Sequence, residues 1–79
     1  MTNREKYVQA FVDSLDIKEE QTEGLEYQAI PSWDSVGHMG LIAAIEDSFD
    51  IQFATDDIIE FSSFEKGIEL LKKYDVVID

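Results

Sequence analysis

The 79-residue chain has no cysteine, one proline and no long hydrophobic run. Disulfides and thiolate metal sites are therefore excluded, and no covalent crosslink stabilises what must be a small core. No apolar segment approaches the ~20 residues that a membrane-spanning helix needs, and the first residues do not resemble a signal peptide. We expect one soluble, monomeric, cytoplasmic domain over residues 1–79, since this length accommodates a single core.

Lysine and arginine are absent from the whole central segment, residues 19–65. That segment contains twelve acids, whereas six acids and six bases balance in the remainder, so the entire net charge of −12 belongs to it. Such a field repels nucleic acid and anionic membranes and attracts basic protein surfaces. The alternative is that these acids only keep a small protein soluble.

Two principal helices are predicted in the first two thirds of the chain. Thr2 and Glu5 form a capping-box pattern, and apolar residues at helical spacing follow, so we predict a first helix over about 3–15. Asp34 is a favourable N-cap for a second helix that ends near Phe49. Its predicted apolar face consists of His38, Leu41, Ile42, Ile45 and Phe49.

Two further helices are predicted near the carboxyl end. Thr55 is predicted to cap a short helix from Asp56 to about Phe61. A second capping-box pattern, residues 62–65, opens a last helix over about 63–74. The short run 51–53 alternates like a strand but has no partner strand, so we interpret it as a loop. The expected fold is all-α, a bundle of three principal helices and one short helix.

The segment between the first two helices, residues 16–34, lacks helical periodicity and is long for so small a domain. Its spaced apolar residues are expected to attach it to the core: Leu25, Tyr27, Ile30 and Trp33. Trp33 is expected in the core, with a surface position beside Ser35 as the alternative. Gly37 and Gly40 in the first turns of the second helix each disfavour it relative to alanine, so either another backbone approaches closely there or this end of the helix is loose.

Ser35 follows Asp34 at the start of the second helix, and three interpretations compete for it. Nucleophilic catalysis would use Asp34, Ser35 and His38, but a serine-elbow glycine is missing at position 33 and the chain is short for a substrate cleft. A purely structural role as a first-turn residue is common. Attachment of a phosphate-linked group is physically favourable, because helix N-termini stabilise anions. The physics alone does not select among the last two.

The stretch 34–51 resembles the central part of an acyl carrier protein, a family with an Asp-Ser-Leu signature at the start of its second helix. A Leu-x-x-x-Ile/Leu-Glu-x-x-Phe pattern follows, here at Leu41, Ile45, Glu46 and Phe49. Residues 56–58 and 62–65 also resemble the family's third helix and the start of its fourth. The resemblance covers essentially the whole chain, including its length, acidity and helix order.

The resemblance implies that Ser35 bears 4′-phosphopantetheine, which a phosphopantetheinyl transferase moves from coenzyme A. Asp34 would help that transferase place its magnesium-bound diphosphate. The arm's thiol would hold acyl groups as thioesters for ligases, acyltransferases or synthases, so the chain itself would not be an enzyme. Basic patches of these enzymes would dock on an acidic face formed by Glu46, Asp47, Asp50, Asp56, Asp57 and Glu60.

Three positions depart from the family pattern. Val36 replaces the signature leucine and should be tolerated. Gly37 and Gly40 stand where fatty-acid carriers usually have acids, which favours a specialised carrier of secondary or cell-surface metabolism over fatty-acid synthesis. An aminoacyl carrier of the D-alanyl type and an acidic helical interaction module with an unmodified serine remain alternatives. His38 is expected to be partly buried, neutral and hydrogen-bonded locally, with a role near the arm's phosphate as the alternative.

Overall fold

A computed structural model describes residues 2–78 and confirms the all-α prediction, with four α-helices and no strand in that range. The helices are α1 (Asn3–Leu15), α2 (Ser35–Phe49), α3 (Thr55–Glu60) and α4 (Phe64–Lys72). A single 3₁₀ turn, Glu19–Gln21, lies in the long connection between α1 and α2. Within the described residues, no helix is long and apolar enough to cross a membrane.

The predicted caps of α1 and α2 are confirmed. The Thr2 hydroxyl accepts from the amide of Glu5 while the Glu5 carboxylate accepts from the amide of Thr2, which completes the capping box. Asp34 is the N-cap of α2, and its carboxylate accepts from the amide of Gly37 at 2.9 Å. Both helices therefore begin where the polar side chain preceding an apolar stripe satisfies a free amide.

The predicted starts of the last two helices are wrong in detail. Ala54, not Thr55, is the N-cap of α3, and its side chain makes no capping bond. Instead the amide of Ala54 donates to the Tyr74 hydroxyl at 2.9 Å, so the start of α3 is held from outside the helix. Ser63 caps α4 through the amide of Lys66, so residues 62–65 form no capping box. α4 also ends at Lys72, two residues before the predicted end, and a turn follows.

Left-handed aspartates end α1 and α2 and follow the last turn of α4. Asp16, Asp50 and Asp75 have φ of 54°, 53° and 62°, a region that aspartate tolerates better than most residues. In each case the next residue, Ile17, Ile51 or Val76, donates its amide back to a carbonyl in the last turn of the preceding helix. The chain thus reverses at an acid and immediately returns an apolar side chain toward the core.

The core is rich in aromatic rings. Tyr7 and Phe11 of α1 contact Phe64 of α4 with ring centroids 4.8 and 5.1 Å apart, and Phe11 meets the ring of Trp33 edge-on at 5.4 Å. The hydroxyl of Tyr7 donates to the carbonyl of Phe64 at 2.6 Å, so this buried polar atom is satisfied. The predicted face of α2 is also confirmed, because Leu41, Ile42 and Ile45 are buried and His38 and Phe49 are half-buried.

The long connection between α1 and α2 is attached to the core as predicted. Leu25 is buried, and Trp33 has no exposed surface, which confirms its expected core position. Main-chain hydrogen bonds of 2.8 Å join the Tyr27 amide to the Ser62 carbonyl and the Phe64 amide to the Leu25 carbonyl. The apolar tail, for which the sequence predicts no position, also folds back, with Val76 and Ile78 buried.

The two glycines of α2 have different surroundings. A Cβ on Gly37 would clash with the main-chain carbonyl of Ser32, so this position requires glycine for a close approach of the connection to α2. A Cβ on Gly40 would meet nothing within 4 Å. Of the two alternatives for these glycines, the close approach of another backbone therefore holds at Gly37 and not at Gly40.

Candidate functional site

Ser35 is the first residue of α2 and is exposed. Within residues 2–78 its hydroxyl has no hydrogen-bond partner, and neither have the main-chain amides of Ser35 and Val36. Those amides are free because the first turn of a helix has no preceding carbonyls to bond. The hydroxyl is thus accessible beside N–H donors at the positive end of a 15-residue helix.

Asp34 is exposed immediately before Ser35. One of its carboxylate oxygens accepts from the Gly37 amide, while the other makes no hydrogen bond to any residue that the structure describes. Capping the helix therefore uses only half of this carboxylate. The remaining oxygen is free to take a hydrogen bond or a metal ligand position in a complex with another protein.

An apolar cleft of about 330 Å³ opens beside Ser35, between α2 and α3. Its size lies near the lower end of the ~300–1,000 Å³ typical of small-molecule sites. Most of its lining is apolar, from side chains on α2, on and after α3, and on the long connection: Met39, Ile58, Ile59, Phe61 and Tyr27. His38 and Ser62 add polar atoms, and Ser35 stands in the same lining.

Three of the exposed large apolar side chains belong to the surroundings of this cleft. Val36 is 80% exposed next to Ser35, and Met39 and Ile59 in the cleft lining are 56% and 75% exposed. Clustered exposed apolar side chains are typical of interaction sites. Hence exposed apolar side chains surround the Ser35 hydroxyl, Val36 next to it on α2 and Met39 and Ile59 in the cleft.

His38 lies in the cleft lining with both ring nitrogens engaged. The indole N–H of Trp33 donates to Nδ1 at 3.0 Å, and Nε2 lies 2.8 Å from the carbonyl oxygen of Ile58. Because an indole can only donate and a carbonyl can only accept, the proton must be on Nε2 and the ring is neutral. The expectation of a half-buried, locally satisfied histidine is confirmed.

These bonds leave no catalytic triad among Asp34, Ser35 and His38. Neither nitrogen of His38 bonds to the Ser35 hydroxyl, and the bound oxygen of Asp34 accepts from a main-chain amide. Without a base in contact, a serine hydroxyl is a weak nucleophile. Within residues 2–78, no side chain that could act as a base is hydrogen-bonded to the Ser35 hydroxyl.

Four of the six acids predicted to dock partners are exposed at the surface. Asp47, Asp50, Asp56 and Glu60 are exposed on α2, at its end, and on α3. Glu46 is half-buried, and its carboxylate accepts from the amide of Phe53 at 2.8 Å, which ties the α2–α3 loop to α2. The exposed acids thus extend from the end of α2 to α3, the helix that forms one wall of the cleft.

Asp57, the sixth predicted docking residue, faces inward and is 7% exposed. Its two carboxylate oxygens accept from the Tyr74 hydroxyl at 2.5 Å and the Lys73 ammonium at 2.9 Å. The hydrogen bonds from Tyr74 and Lys73 hold the pKa of Asp57 below its ordinary value of 3.8. This carboxylate joins α3 to the end of α4 and is not offered to a partner.

Sequence reasoning identified Ser35 and Asp34 but not the residues that form the cleft. The sequence predicted no position beside Ser35 for Met39, Ile58, Ile59 or Phe61. Met39 lies outside the predicted buried face of α2, and an apolar residue outside such a face was the available signal. In the described part of the chain, no three histidine, cysteine or carboxylate side chains are grouped to hold a metal ion.

Comparisons of the chain with protein-family models, with curated proteins and with solved structures give no match. The function therefore has to be inferred from the arrangement around Ser35.

Proposed function

We propose that this chain is an acyl carrier protein that bears 4′-phosphopantetheine on Ser35. The observation that supports this most is the placement of an accessible, unbonded hydroxyl at the start of α2, directly beside an apolar cleft. A bound arm would supply a thiol that forms thioesters, which a chain without cysteine otherwise lacks.

The residues around Ser35 fit the attached group. A phosphodiester on the hydroxyl would lie next to the free amides of Ser35 and Val36, which favour an anion at a helix N-terminus. The transferase would supply the base that deprotonates Ser35, since no side chain of this protein contacts the hydroxyl to do so. The free oxygen of Asp34 would face the same site and assist that transferase in holding its magnesium ion.

The cleft favours an acyl cargo over an aminoacyl cargo. Its lining is mostly carbon and includes no carboxylate, so burial of an ammonium group there would have no charge partner. Aliphatic chains gain roughly 0.8 kcal/mol for each methylene removed from water. We therefore rank a carrier of acyl groups, in a specialised pathway of secondary or cell-surface metabolism, above a D-alanyl-type carrier.

Partner enzymes would approach over the cleft. Exposed Asp47, Asp56 and Glu60 would attract basic patches, while Val36 and Met39 would form apolar contacts near the arm. Because the charged residues are at the surface, their effect should fall mainly on association rates and weaken with salt. The expected partners are a phosphopantetheinyl transferase, a loading ligase, and acyltransferases or synthases.

Intact-mass spectrometry after incubation with coenzyme A and a broad-specificity phosphopantetheinyl transferase tests the proposal. We expect the gain of one phosphopantetheine mass by the unmodified chain and none by Ser35→Ala. The matched control is Ser48→Ala, which removes an exposed hydroxyl from the same helix and should load like the parent protein. An unchanged mass in the parent protein would instead support the acidic interaction module.

A further inference from the structure

α3 has little stability of its own. It has six residues, too few for a stable helix in isolation, and its N-cap side chain makes no hydrogen bond. Hydrogen bonds from Ala54, Asp57 and Ile58 attach it to the neighbouring helices. Asp57 and the amide of Ala54 bind the end of α4, and His38 of α2 binds the carbonyl of Ile58.

The Ile58 carbonyl is one of the last four of α3, which have no amide partner within the helix. His38 therefore acts as a capping side chain from a neighbouring helix, and it does so inside the cleft lining. The ring is fixed in turn by Trp33, which is fully buried and donates to the opposite nitrogen. A continuous chain of bonds runs from the core through His38 to α3.

We propose that His38 is a clasp that holds α3 against α2 and thereby sets how far the cleft beside Ser35 opens. Ile58 and Ile59 of α3 form one wall of the cleft, and Met39 on α2 belongs to its lining. Loss of the bond between Nε2 and the Ile58 carbonyl removes the hydrogen bond that joins α3 to α2, whereas Ala54 and Asp57 stay bonded to the end of α4. The inference concerns the unmodified protein and does not depend on attachment at Ser35.

Two substitutions of His38 by amide side chains test its two hydrogen bonds one at a time. Glutamine places its Nε2 as many bonds from Cα as the histidine Nε2, so His38→Gln retains a donor for the Ile58 carbonyl. Asparagine places its Oδ1 as many bonds from Cα as Nδ1, so His38→Asn retains the acceptor for Trp33 only. Both variants are polar and smaller than histidine, and they differ in which neighbour they hold.

The absence of cysteine allows a single thiol to report on the cleft. Ile58→Cys places the thiol at a half-buried position in the α3 wall and leaves the main-chain carbonyl intact, whereas Ile59→Cys places it at the exposed neighbour. The rate of reaction with N-ethylmaleimide is measured for both reporters in the His38, His38→Gln and His38→Asn backgrounds, under conditions where circular dichroism shows each protein folded.

The clasp predicts that His38→Asn raises the labelling rate of the Ile58 reporter about fivefold or more, the factor that ~1 kcal/mol of lost hydrogen bonding gives. His38→Gln should retain the parent rate within about twofold, and the Ile59 reporter should change little in any background. Equal Ile58 labelling in the Gln and Asn backgrounds would overturn the proposal, as would a parallel rise at Ile59.

A spectroscopic signature separates this role from general destabilisation. Trp33 is the single tryptophan, so the protein has one indole N–H resonance. Both variants remove the imidazole ring that stacks on Trp33, but His38→Asn keeps an acceptor for the indole N–H, so the resonance should move less in His38→Asn than in His38→Gln, opposite to the order of the labelling rates. Movement of the resonance in the same order as the labelling rates would show that His38 acts only through overall stability, and the clasp would be refuted.

Discussion

Replacement of the two α2 glycines by alanine should change stability in opposite directions. Alanine is favoured over glycine in a helix by ~1 kcal/mol, and this gain applies to both positions. At Gly40 nothing opposes it, since no atom lies within 4 Å of the added Cβ. We therefore expect Gly40→Ala to raise the free energy of unfolding by up to ~1 kcal/mol.

At Gly37 the added methyl would meet the main-chain carbonyl of Ser32 and, at 3.3 Å, a methyl of Leu15. A carbonyl cannot rotate away as a side chain can, and Ser32 precedes the fully buried Trp33, so the connection must shift with its anchor. Overpacking costs ~1–3 kcal/mol, and a backbone clash belongs at the upper end. After the helix gain, the net loss expected for Gly37→Ala is ~2 kcal/mol.

Urea unfolding followed by Trp33 fluorescence and thermal unfolding followed by far-ultraviolet circular dichroism measure both variants. The pair should differ by ~3 kcal/mol in the free energy of unfolding, with midpoint temperatures moving by about 4–8 °C for each kcal/mol. If Gly37→Ala were stabilising like Gly40→Ala, the close approach of the connection to α2 would be refuted. A destabilising Gly40→Ala would refute the open space assigned to that position.

Two further predictions concern acids. Asp47→Lys should slow transferase loading, because Asp47 is exposed and makes no internal bond. The difference in loading rate from the parent protein should shrink at high salt. Unchanged loading kinetics would remove Asp47 from the docking surface. Asp57→Asn should lower the stability of the fold at neutral pH. The pKa of Asp57 is lowered in the folded protein, so its carboxylate adds stability above the ordinary pKa of 3.8. That stability disappears as the pH falls through the pKa of Asp57 in the folded protein. The raised pKa values of Lys73 and Tyr74 imply loss of the same stabilisation above about pH 10. Equal pH–stability curves for parent and variant, from urea titrations between about pH 3 and roughly pH 11, would contradict that role.

The principal helices could be predicted because their signals are local. Thr2 with Glu5, and Asp34 before its apolar stripe, place the cap and the buried face within a few residues of each other. The start of α3 was misplaced because its anchor is not local. Tyr74 binds the Ala54 amide across 20 residues, and no periodicity in the sequence indicates that pair.

At the candidate site too, features with local sequence signals could be predicted and features that depend on long-range contacts could not. The resemblance located Ser35 and Asp34, since both belong to one short signature. The cleft could not be predicted, because it depends on where α3 packs. Asp57 was predicted on the docking surface because its partners, Lys73 and Tyr74, lie far from it in the sequence and belong to another part of the fold. His38 was expected to be satisfied, yet its second partner, the Ile58 carbonyl, became evident only from the packing of α3 on α2.

Localisation of the added group tests the carrier proposal most directly. Trypsin cannot cleave between Lys18 and Lys66, so residues 19–66 form one peptide that contains Ser35 together with the other serines near the site. After loading from coenzyme A, fragmentation of this peptide should place one phosphopantetheine on Ser35 and leave the other serines unmodified. Absence of the group, or its attachment to a different residue, would contradict the account.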